Sequence, residues 1–342
     1  MRIYTYRYCR LTEIDKFKAF IDKHWKKGHV LSYNNDLIRF QYEVENEGRL
    51  SVVVAENNET HEFDGIYGYI STHKYDTSRQ IPKVLWGAVW KVRKDIENDE
   101  IGKVGINLLK FILKNEEYDA FSVLGISDVN KRIAEAFHFT VGELNHFYCA
   151  SNSIDSYIVS KNPVVHKNRE EGALFYVNEI PLPTNQIEFE VNQNPYKNIT
   201  YFRNRYEQHQ FFSYHFLGLY SNNGLKGIFV FRKVKANGHN VLRIVDFIGS
   251  LNGVGSVFNS LQSLLIREEA EYIDCLNYGL SSDDFIRVGF DVVLPNSDTI
   301  IPEYFEPFEQ RYVPMEFEYM SEKPIIIFKG DGDQDRPNSI KQ

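Results

Sequence analysis

Cysteine is scarce in this sequence, and its three copies, Cys9, Cys149 and Cys275, lie far apart in the chain. An odd number of widely spaced cysteines argues against a disulfide framework and against a zinc site, so we predict no bound metal. No stretch approaches the roughly 18 apolar residues that a membrane span needs, and the N-terminus lacks the apolar core of a signal peptide. The sequence therefore predicts a cytoplasmic protein that does not insert into membranes.

Basic residues are fewer than acidic residues in this chain. The chain has 39 Lys and Arg residues against 47 Asp and Glu residues, a net charge of −8. An acidic chain has no electrostatic footprint for nucleic acid or for an anionic membrane, so we predict no nucleic-acid partner. A phosphate-bearing ligand would have to be held locally, by backbone N–H groups or by a few Lys and Arg side chains.

Two common nucleotide-binding motifs are missing. No GxGxxG follows either of the strands that precede the long helices, and no GxxxxGK[ST] occurs anywhere in the chain. The first absence argues against a dinucleotide-binding fingerprint and the second against a P-loop.

The order of predicted elements repeats along the 342 residues. A strand, a glycine-bearing loop, a long helix, a strand and a short helix occur twice, about 150 residues apart, which indicates an internal duplication. In the first half these elements are expected at 83–92, 102–115, 118–126 and 131–139, with a closing strand at 143–151. In the second half they are expected at 240–249, at 251–270 for the glycine loop and the helix together, and at 272–279 and 282–290. The predicted domains are 1–160 and 161–330, followed by a polar tail at 331–342.

Glycines stand at the start of both predicted long helices: Gly102 and Gly105 in the first half, Gly253 and Gly255 in the second. Helix N-termini present unpaired N–H groups and a partial positive charge. Glycine there lets a phosphate approach the backbone closely. Taken alone, such glycines are more often ordinary turn and packing residues, so the pattern leaves both interpretations open.

The first glycine loop resembles a family motif. Residues 100–105, EIGKVG, align with the [RQ]xxGx[GA] motif of the GNAT superfamily of acyltransferases, with a match at Gly105 and departures at Glu100 and Lys103. The resemblance implies an α/β fold of two tandem GNAT-like domains. Each would have a mostly antiparallel sheet with a parallel pair at its fourth and fifth strands, flanked by helices. It also implies acyl-CoA as co-substrate, with its pyrophosphate on the loop and its pantetheine along the fourth strand. The residues predicted to bind it are Trp90, Lys91, Val92, Gly102, Lys103, Val104, Gly105, Ile106 and Asn107.

Further segments resemble a narrower group within that superfamily. Residues 123–151, 272–290, 301–308 and 328–338 resemble two-domain GNAT-type N-acyltransferases that modify nucleotide-linked amino sugars, particularly dTDP-3-amino-3,6-dideoxyhexoses. The implied reaction transfers acetyl or a short hydroxyacyl group, such as 3-hydroxybutanoyl, to the sugar amine for O-antigen or other surface-glycan synthesis. Long apolar strands suggest a homodimer.

Catalytic groups are less evident than binding groups. The resemblance implies backbone N–H donors for the oxyanion at Val89 and Trp90, but LWGAVWKV contains no carboxylate, and the position of the family's tyrosine acid is Ala134. Either a water chain removes the amine proton or a carboxylate comes from the second domain. The candidates there are Asp246, Asp274 and His215, although structural acids and a core histidine are the more ordinary interpretations of these three.

The acceptor is expected either between the two halves or against the C-terminal segment, where aromatic and polar residues concentrate. Aromatic platforms combined with carboxylates and amides are typical of carbohydrate sites, although core packing explains the aromatic residues equally well. The predicted contacts are Asn277, Tyr278, Glu303, Tyr304, Phe305, Glu306, Lys329 and Arg336. Two other functions stay open: a tandem-GNAT aminoacyl transferase acting on peptidoglycan precursors, and a non-catalytic GNAT-like binding module.

Overall fold

The computed structural model of the chain describes residues 3–78, 80–169, 175–189, 194–306 and 308–333. These residues form two compact units. The first unit comprises residues up to 141 together with 318–322, and the second comprises 142–317 and the residues after 322 up to 333.

The first half alternates strands and helices along the chain. In chain order its elements are β1 (Tyr4–Arg10), α1 (Ile14–Phe20), α2 (Asn35–Tyr42), β2 (Glu43–Val44), β3 (Arg49–Asn57), β4 (Phe63–Ser71), β5 (Val84–Val92), α3 (Ile101–Asn115), β6 (Ala120–Leu124), α4 (Asp128–Ala136) and β7 (Thr140–Glu143). A helical turn at Ile21–Trp25 extends α1.

The second half continues the series. Its elements are β8 (Asn145–Ala150), β9 (Phe175–Ile180), α5 (Ile199–Phe202), β10 (Tyr214–Ser221), β11 (Gly224–Ala236), β12 (His239–Gly249), α6 (Phe258–Arg267), β13 (Ala270–Tyr278), α7 (Ser282–Val288), β14 (Asp291–Val292), β15 (Glu316–Ser321) and β16 (Ile327–Phe328). A helical turn at Arg203–Glu207 extends α5.

Both sheets are mixed, as the sequence predicts. Over the described residues each has eight strands, in the orders β1-β3-β4-β5-β6-β15-β7 and β14-β8-β13-β12-β11-β10-β9, with β2 added to β3 and β16 to β13. The neighbours β3–β4 and β4–β5 are antiparallel, whereas β5–β6 is parallel. In the second sheet β10–β11 and β11–β12 are antiparallel, whereas β12–β13 is parallel. The predicted α/β architecture, with one parallel pair after an antiparallel series in each half, is confirmed.

Helix α3 illustrates how the sequence directs this packing. Its buried residues Val104, Leu108, Leu109 and Ile112 recur at helical spacing and form one apolar face. That face joins a core cluster with residues of β4, β5 and β6, such as Tyr67. The helix therefore covers the sheet directly beside the parallel pair, as the order strand, helix, strand requires.

Two strands do not join the sheet that their place in the chain suggests. The strand expected to close the first half forms as β8, but it pairs with β13 in the second sheet. Conversely β15, from near the end of the chain, lies between β6 and β7 in the first sheet. Strand patterning is local, whereas the choice of partner strand depends on the whole fold, so the sequence predicted the strand but not its sheet.

The segment 251–270, expected as a glycine-bearing loop and a helix, consists of a loop at 251–257, with buried Leu251, Val254 and Val257, followed by α6 from Phe258. Helix α2 was not predicted, although Asn34 caps it by accepting a hydrogen bond from the N–H of Leu37 at 2.8 Å. No helix among the described residues is long and apolar enough to cross a bilayer.

Candidate functional site

The parallel strands of the first unit separate partway along their length. Strands β5 and β6 pair from Val84–Ala120 to Gly87–Val123, where the pairing ends. Strand β5 nevertheless continues to Val92. No other strand among the described residues pairs with β5 on that side, so its edge beyond Gly87 is unpaired. We call this unpaired edge the opening, and it is where the GNAT resemblance predicts the pantetheine of acyl-CoA.

A bulge in β5 lies at the start of this opening. Opposite β4, Tyr69 pairs with Gly87 and Tyr67 pairs with Trp90, so the register shifts between these two pairs and Ala88 and Val89 together face a single β4 residue. The extra residue of a bulge falls outside the hydrogen-bond ladder. Val89, a predicted oxyanion donor, is one of the two residues of this bulge, and an N–H group outside the ladder is free to stabilise a developing negative charge.

The predicted phosphate-binding glycines lie inside α3 rather than before it. Helix α3 begins at Ile101, so Gly102 is in its first turn and Gly105 in its second. The N-cap residue Glu100 makes no side-chain capping bond, so its carboxylate does not satisfy the N–H groups of the first turn. A Cβ on Gly102 would meet nothing within 4 Å. The N–H groups of Glu100, Ile101 and Lys103 donate to Asn98 and to the carbonyl of Glu100 within this turn. The helix end therefore offers an anion its dipole and the open space at Gly102.

The other residues predicted to contact acyl-CoA have mixed environments. Trp90 stacks on Tyr67 with ring centroids 4.6 Å apart, and a Cβ on Gly105 would lie 3.4 Å from its Nε1. Val104 is fully buried in the core, and the Asn107 amide donates to the Tyr6 hydroxyl at 3.1 Å. Lys91, Val92 and Ile106 are half-buried. Val104 therefore packs the helix against the sheet and is not accessible to a ligand.

Tyr67 lies against Gly87 where β5 leaves β6, and Glu318 lies on β15, the next strand beyond β6. A Cβ built on Gly87 would lie 2.8 Å from both the Tyr67 hydroxyl oxygen and Val123 Cγ2. The Tyr67 side chain is fully buried, and Glu318 of β15 is 2% exposed. Among the described residues neither the Tyr67 hydroxyl nor Glu318 Oε2 has a hydrogen-bond partner. The Tyr67 hydroxyl and the Val123 methyl group thus occupy the space that a side chain at Gly87 would need.

Burial controls the ionisation of both groups. It raises the pKa of Glu318 to about 7. Burial also raises the pKa of Tyr67 well above its usual value, and the charge on Glu318 adds to that rise. At neutral pH the site therefore combines a neutral phenol with a carboxyl that both gains and loses its proton readily.

None of these three residues was predicted from the sequence. Gly87 did carry a signal, because an isolated glycine in a strand pattern often marks a bulge or a close approach. Glu318 carried none, because nothing local indicates that β15 joins the first sheet.

The corresponding opening in the second unit is filled by the chain itself. Strands β12 and β13 pair as far as Ile244–Cys275, and β12 has a bulge at Val245. Beyond that point Phe328 of β16 pairs with Asn277 of β13. The N–H of Gly330 donates to the carbonyl of Val245 at 2.9 Å. Residues 325–333, the filling segment, thus hydrogen-bond to both separating strands.

Buried charges hold the filling segment in place. Lys197 lies 2.6 Å from Asp246 and 2.5 Å from Asp331, and all three side chains are at most 3% exposed. The Tyr206 hydroxyl donates to Asp246 at 2.7 Å, and the Arg205 guanidinium donates to main-chain carbonyls of the segment. Asp246, a predicted catalytic acid, is therefore engaged in anchoring this segment.

Loop 251–257 of the second unit, which contains Gly253 and Gly255, is also occupied. Arg287 donates to the carbonyls of Val254 at 2.8 Å and Leu251 at 2.9 Å. A Cβ on Gly255 would lie 2.9 Å from the ring of Phe175. These glycines serve packing and turn geometry, which is the ordinary interpretation that the sequence pattern left open.

Asp274, the second predicted acid, lies in a buried charge network. Arg243 Nε donates to it at 3.0 Å and His146 Nε2 lies 2.9 Å away. Burial alone would raise the Asp274 pKa, but Arg243 and His146 outweigh it and hold the pKa at about 2. A carboxylate held so firmly in its ionised form is a poor proton acceptor at neutral pH.

His215 is not the core histidine that its pattern suggested. Its side chain is 28% exposed, and its Nδ1 lies 2.7 Å from Glu179. Both line an open groove of about 380 Å³ in the second unit, together with His209, Phe212 and Tyr214. The groove lies beside β9 and β10, away from the pair β12–β13 in the order of the sheet.

The predicted acceptor residues lie mainly in the interior of the second unit. Lys329 Nζ donates to the carbonyl of Glu303 at 2.7 Å and lies 4.6 Å from the ring centroid of Tyr304. The Arg243 guanidinium lies over Phe305, and the Asn277 amide donates to a carbonyl of the filling segment. Tyr278 packs on Phe317, Glu306 is exposed, and Arg336 lies outside the described residues. The side chains of Glu303, Lys329 and Asn277 thus make hydrogen bonds within the second unit.

Comparisons with known proteins establish the fold. A GCN5-related N-acetyltransferase from Anabaena variabilis matches 92% of this chain and 72% of its own at 8% identity, with a TM-score of 0.50. A conserved Enterococcus faecalis protein of unknown function, described as a probable N-acyltransferase, matches 93% of this chain and 72% of its own at 7% identity, with a TM-score of 0.53. No protein-family model matches the chain, and no curated protein sequence matches it. The chain therefore has the tandem GNAT-like fold, as predicted, and identities this low establish the fold alone.

Proposed function

We propose that the protein is an acyl-CoA-dependent N-acyltransferase whose first unit holds the acyl-CoA. The observation that carries the proposal is the unpaired edge of β5 beyond β6, which begins at the β5 bulge and precedes the N-terminus of α3 along the chain. An unpaired strand edge suits the amide groups of pantetheine, and a helix N-terminus suits a pyrophosphate. The two features lie on consecutive elements of one unit.

The proposed reaction needs little from side chains. The thioester carbonyl would accept a hydrogen bond from the Val89 N–H in the bulge, which stabilises the tetrahedral intermediate. A neutral amine attacks the carbonyl carbon, the C–N bond forms, the C–S bond breaks, and CoA leaves as its thiolate. Positioning of the two substrates supplies a large part of the rate enhancement in such a transfer.

The same argument supports one acyl-CoA per chain. In the second unit the filling segment makes the strand-edge contacts that pantetheine would need, and the loop before α6 is occupied by Arg287. Acyl-CoA would have to displace a segment anchored by the buried Lys197 ion pairs.

We further propose a dTDP-linked amino-deoxy sugar as acceptor and acetyl or a short hydroxyacyl group as the acyl moiety, for surface-glycan synthesis. The support is the sequence resemblance of 123–151 and 272–290. Because Glu303 and Lys329 are buried and paired, the exposed Glu306 and the half-buried Tyr304 and Phe305 are the better candidates for acceptor contacts in that segment.

The test combines calorimetry with a free-thiol assay. CoA is titrated into the wild type and into Gly105→Asp, which places a carboxylate in the second turn of α3; Ser263→Asp adds the same charge to an exposed position of α6. We expect about one CoA per chain, at least tenfold weaker binding for Gly105→Asp, about 1.4 kcal/mol, and no change for Ser263→Asp. Two CoA per chain, or equal effects of both variants, would refute the assignment to the first unit.

The assay is then run across acyl-CoAs with dTDP-amino sugars, simple amines and no acceptor. Thiol release that depends on a dTDP-amino sugar supports the finer proposal. Release with other amines only would keep the acyltransferase and reject the sugar. CoA binding without release under any condition would favour the binding module.

A further inference from the structure

Glu318 is an exception among the buried acids of the first unit. Asp64 is paired with Arg93 at 3.1 Å, and Glu116 with Lys83 at 3.0 Å and with tyrosine hydroxyls. Glu318 is 2% exposed, and its Oε2 lacks a hydrogen-bond partner among the described residues. Burying a carboxylate without a partner costs folding free energy, and acids placed in this way concentrate at functional sites.

The backbone places Glu318 beside the end of the parallel pair. Strand β15 lies next to β6, and the Ser122 hydroxyl of β6 donates to the carbonyl of Glu318 at 2.9 Å. Ser122 in turn pairs with Trp86 of β5, one residue before Gly87. Glu318 is thus two strands, about 10 Å of backbone, from the point where β5 turns away.

The side chain of Glu318 points to the face that carries Tyr67. Met320, two residues further along β15, packs in the same core cluster as Tyr67 and Val123. Residues i and i+2 of a strand share a face. The charge of Glu318 accordingly acts on the Tyr67 hydroxyl, which itself lies over Gly87.

We propose that Glu318 carries the proton during acyl transfer in the first unit, while the Tyr67 hydroxyl stays protonated and donates a hydrogen bond to the reacting thioester. The proposal rests on the proposed function. As the C–N bond forms, the amine proton moves to the Glu318 carboxylate. As the C–S bond breaks, the Glu318 carboxyl returns a proton to the CoA thiolate, so the cycle ends with CoA thiol, amide and an ionised Glu318.

The environments of the two groups suit these roles. A proton carrier works best with a pKa near the operating pH, and burial brings the Glu318 pKa to about 7. The Tyr67 pKa is moved away from neutrality by burial and by the Glu318 charge. When the environment moves the pKa values of two neighbouring groups apart in this way, one group exchanges protons and the other only donates a hydrogen bond.

The experiment measures kcat, KM for acetyl-CoA and the pH profile with the acceptor that is active in the thiol assay. Its variants are Glu318→Gln, Glu318→Asp and Tyr67→Phe, and Glu117→Gln is the control at an exposed position of the same unit. For Glu318→Gln we expect about a hundredfold lower kcat and an unchanged KM. The rise of kcat with pH near 7 should disappear in Glu318→Gln and persist, at a lower rate, in Glu318→Asp. Tyr67→Phe should lower kcat about tenfold and keep the rise, since Glu318 is intact.

Three results would overturn the proposal: a kcat for Glu318→Gln within about threefold of wild type, a pH rise retained in that variant, or an equal loss in Glu117→Gln. CoA calorimetry on each variant separates misfolding from loss of proton transfer, because a folded first unit still binds CoA. Absence of thiol release in the wild type would instead reject the acyltransferase function, and this inference with it.

Discussion

Replacing Lys197 with methionine tests how the second unit keeps its sheet opening filled. Met preserves most of the side-chain volume but removes the ammonium that lies between Asp246 and Asp331. Breaking a buried ion pair by removing one partner typically costs about 3–5 kcal/mol. Hydrogen bonds from the Tyr206 hydroxyl to Asp246 and from the Phe328 N–H to Asp331 remain. We therefore expect the low end, about 3 kcal/mol at pH 8.

The cost should depend on pH in a defined direction. Burial raises the pKa of Asp331 to about 6, although Lys197 opposes the rise. Without Lys197 the pKa must rise further, so at pH 5 Asp331 takes up a proton and relieves the repulsion with Asp246. A group with a raised folded-state pKa contributes stability at low pH and loses it as the pH rises through that pKa. The loss in Lys197→Met should therefore shrink to about 1–2 kcal/mol at pH 5.

Urea unfolding of the second unit measures the loss of stability, and hydrogen exchange shows where in the chain it occurs. The N–H groups of Phe328 and Gly330 donate to Asp331 and to the carbonyl of Val245, respectively. Both should exchange faster in the variant, because these hydrogen bonds open when the filling segment loosens. Arg311→Met is the control, since its ion pair with Glu309 is exposed and should be worth less than about 1 kcal/mol. A loss below 1 kcal/mol at pH 8, or an equal loss at both pH values, would show that the ion pairs do not anchor the segment.

Two further predictions concern the first unit. Gly87→Ala places a Cβ 2.8 Å from the Tyr67 hydroxyl, so thermal unfolding should show that the variant is about 1–3 kcal/mol less stable than the wild type. The double variant Gly87→Ala/Tyr67→Phe should recover part of this stability. If it recovers none, the Tyr67 hydroxyl is not the group with which the new methyl group clashes. Because the pKa of Glu318 is raised to about 7, its contribution to stability is complete below its unfolded pKa and lost as the pH rises through 7. Glu318→Gln should therefore gain up to about 3 kcal/mol relative to wild type between pH 4 and pH 8, and a difference that does not vary with pH would contradict the burial argument.

The order of elements could be predicted because it is written in local patterns. The apolar face of α3, the strands on either side of it and the duplicated order follow from hydrophobic periodicity and glycine placement, which depend on neighbours within a few residues. The mixed sheets and the GNAT-like fold followed from that order, and the structure confirms both.

Only the tertiary structure revealed which strands pair with each other and which strand edges are covered by another segment of the chain. That β8 pairs with β13 and that β15 joins β6 cannot be read from either segment, because any strand offers the same backbone groups to any partner. The same holds for the filling segment, whose polar sequence suggested a ligand site but whose Lys329 and Asp331 are buried and paired inside the second unit. Glu318 became a candidate for proton transfer only once β15 was seen in the first sheet, since the pKa of a carboxyl is set by what surrounds it in space.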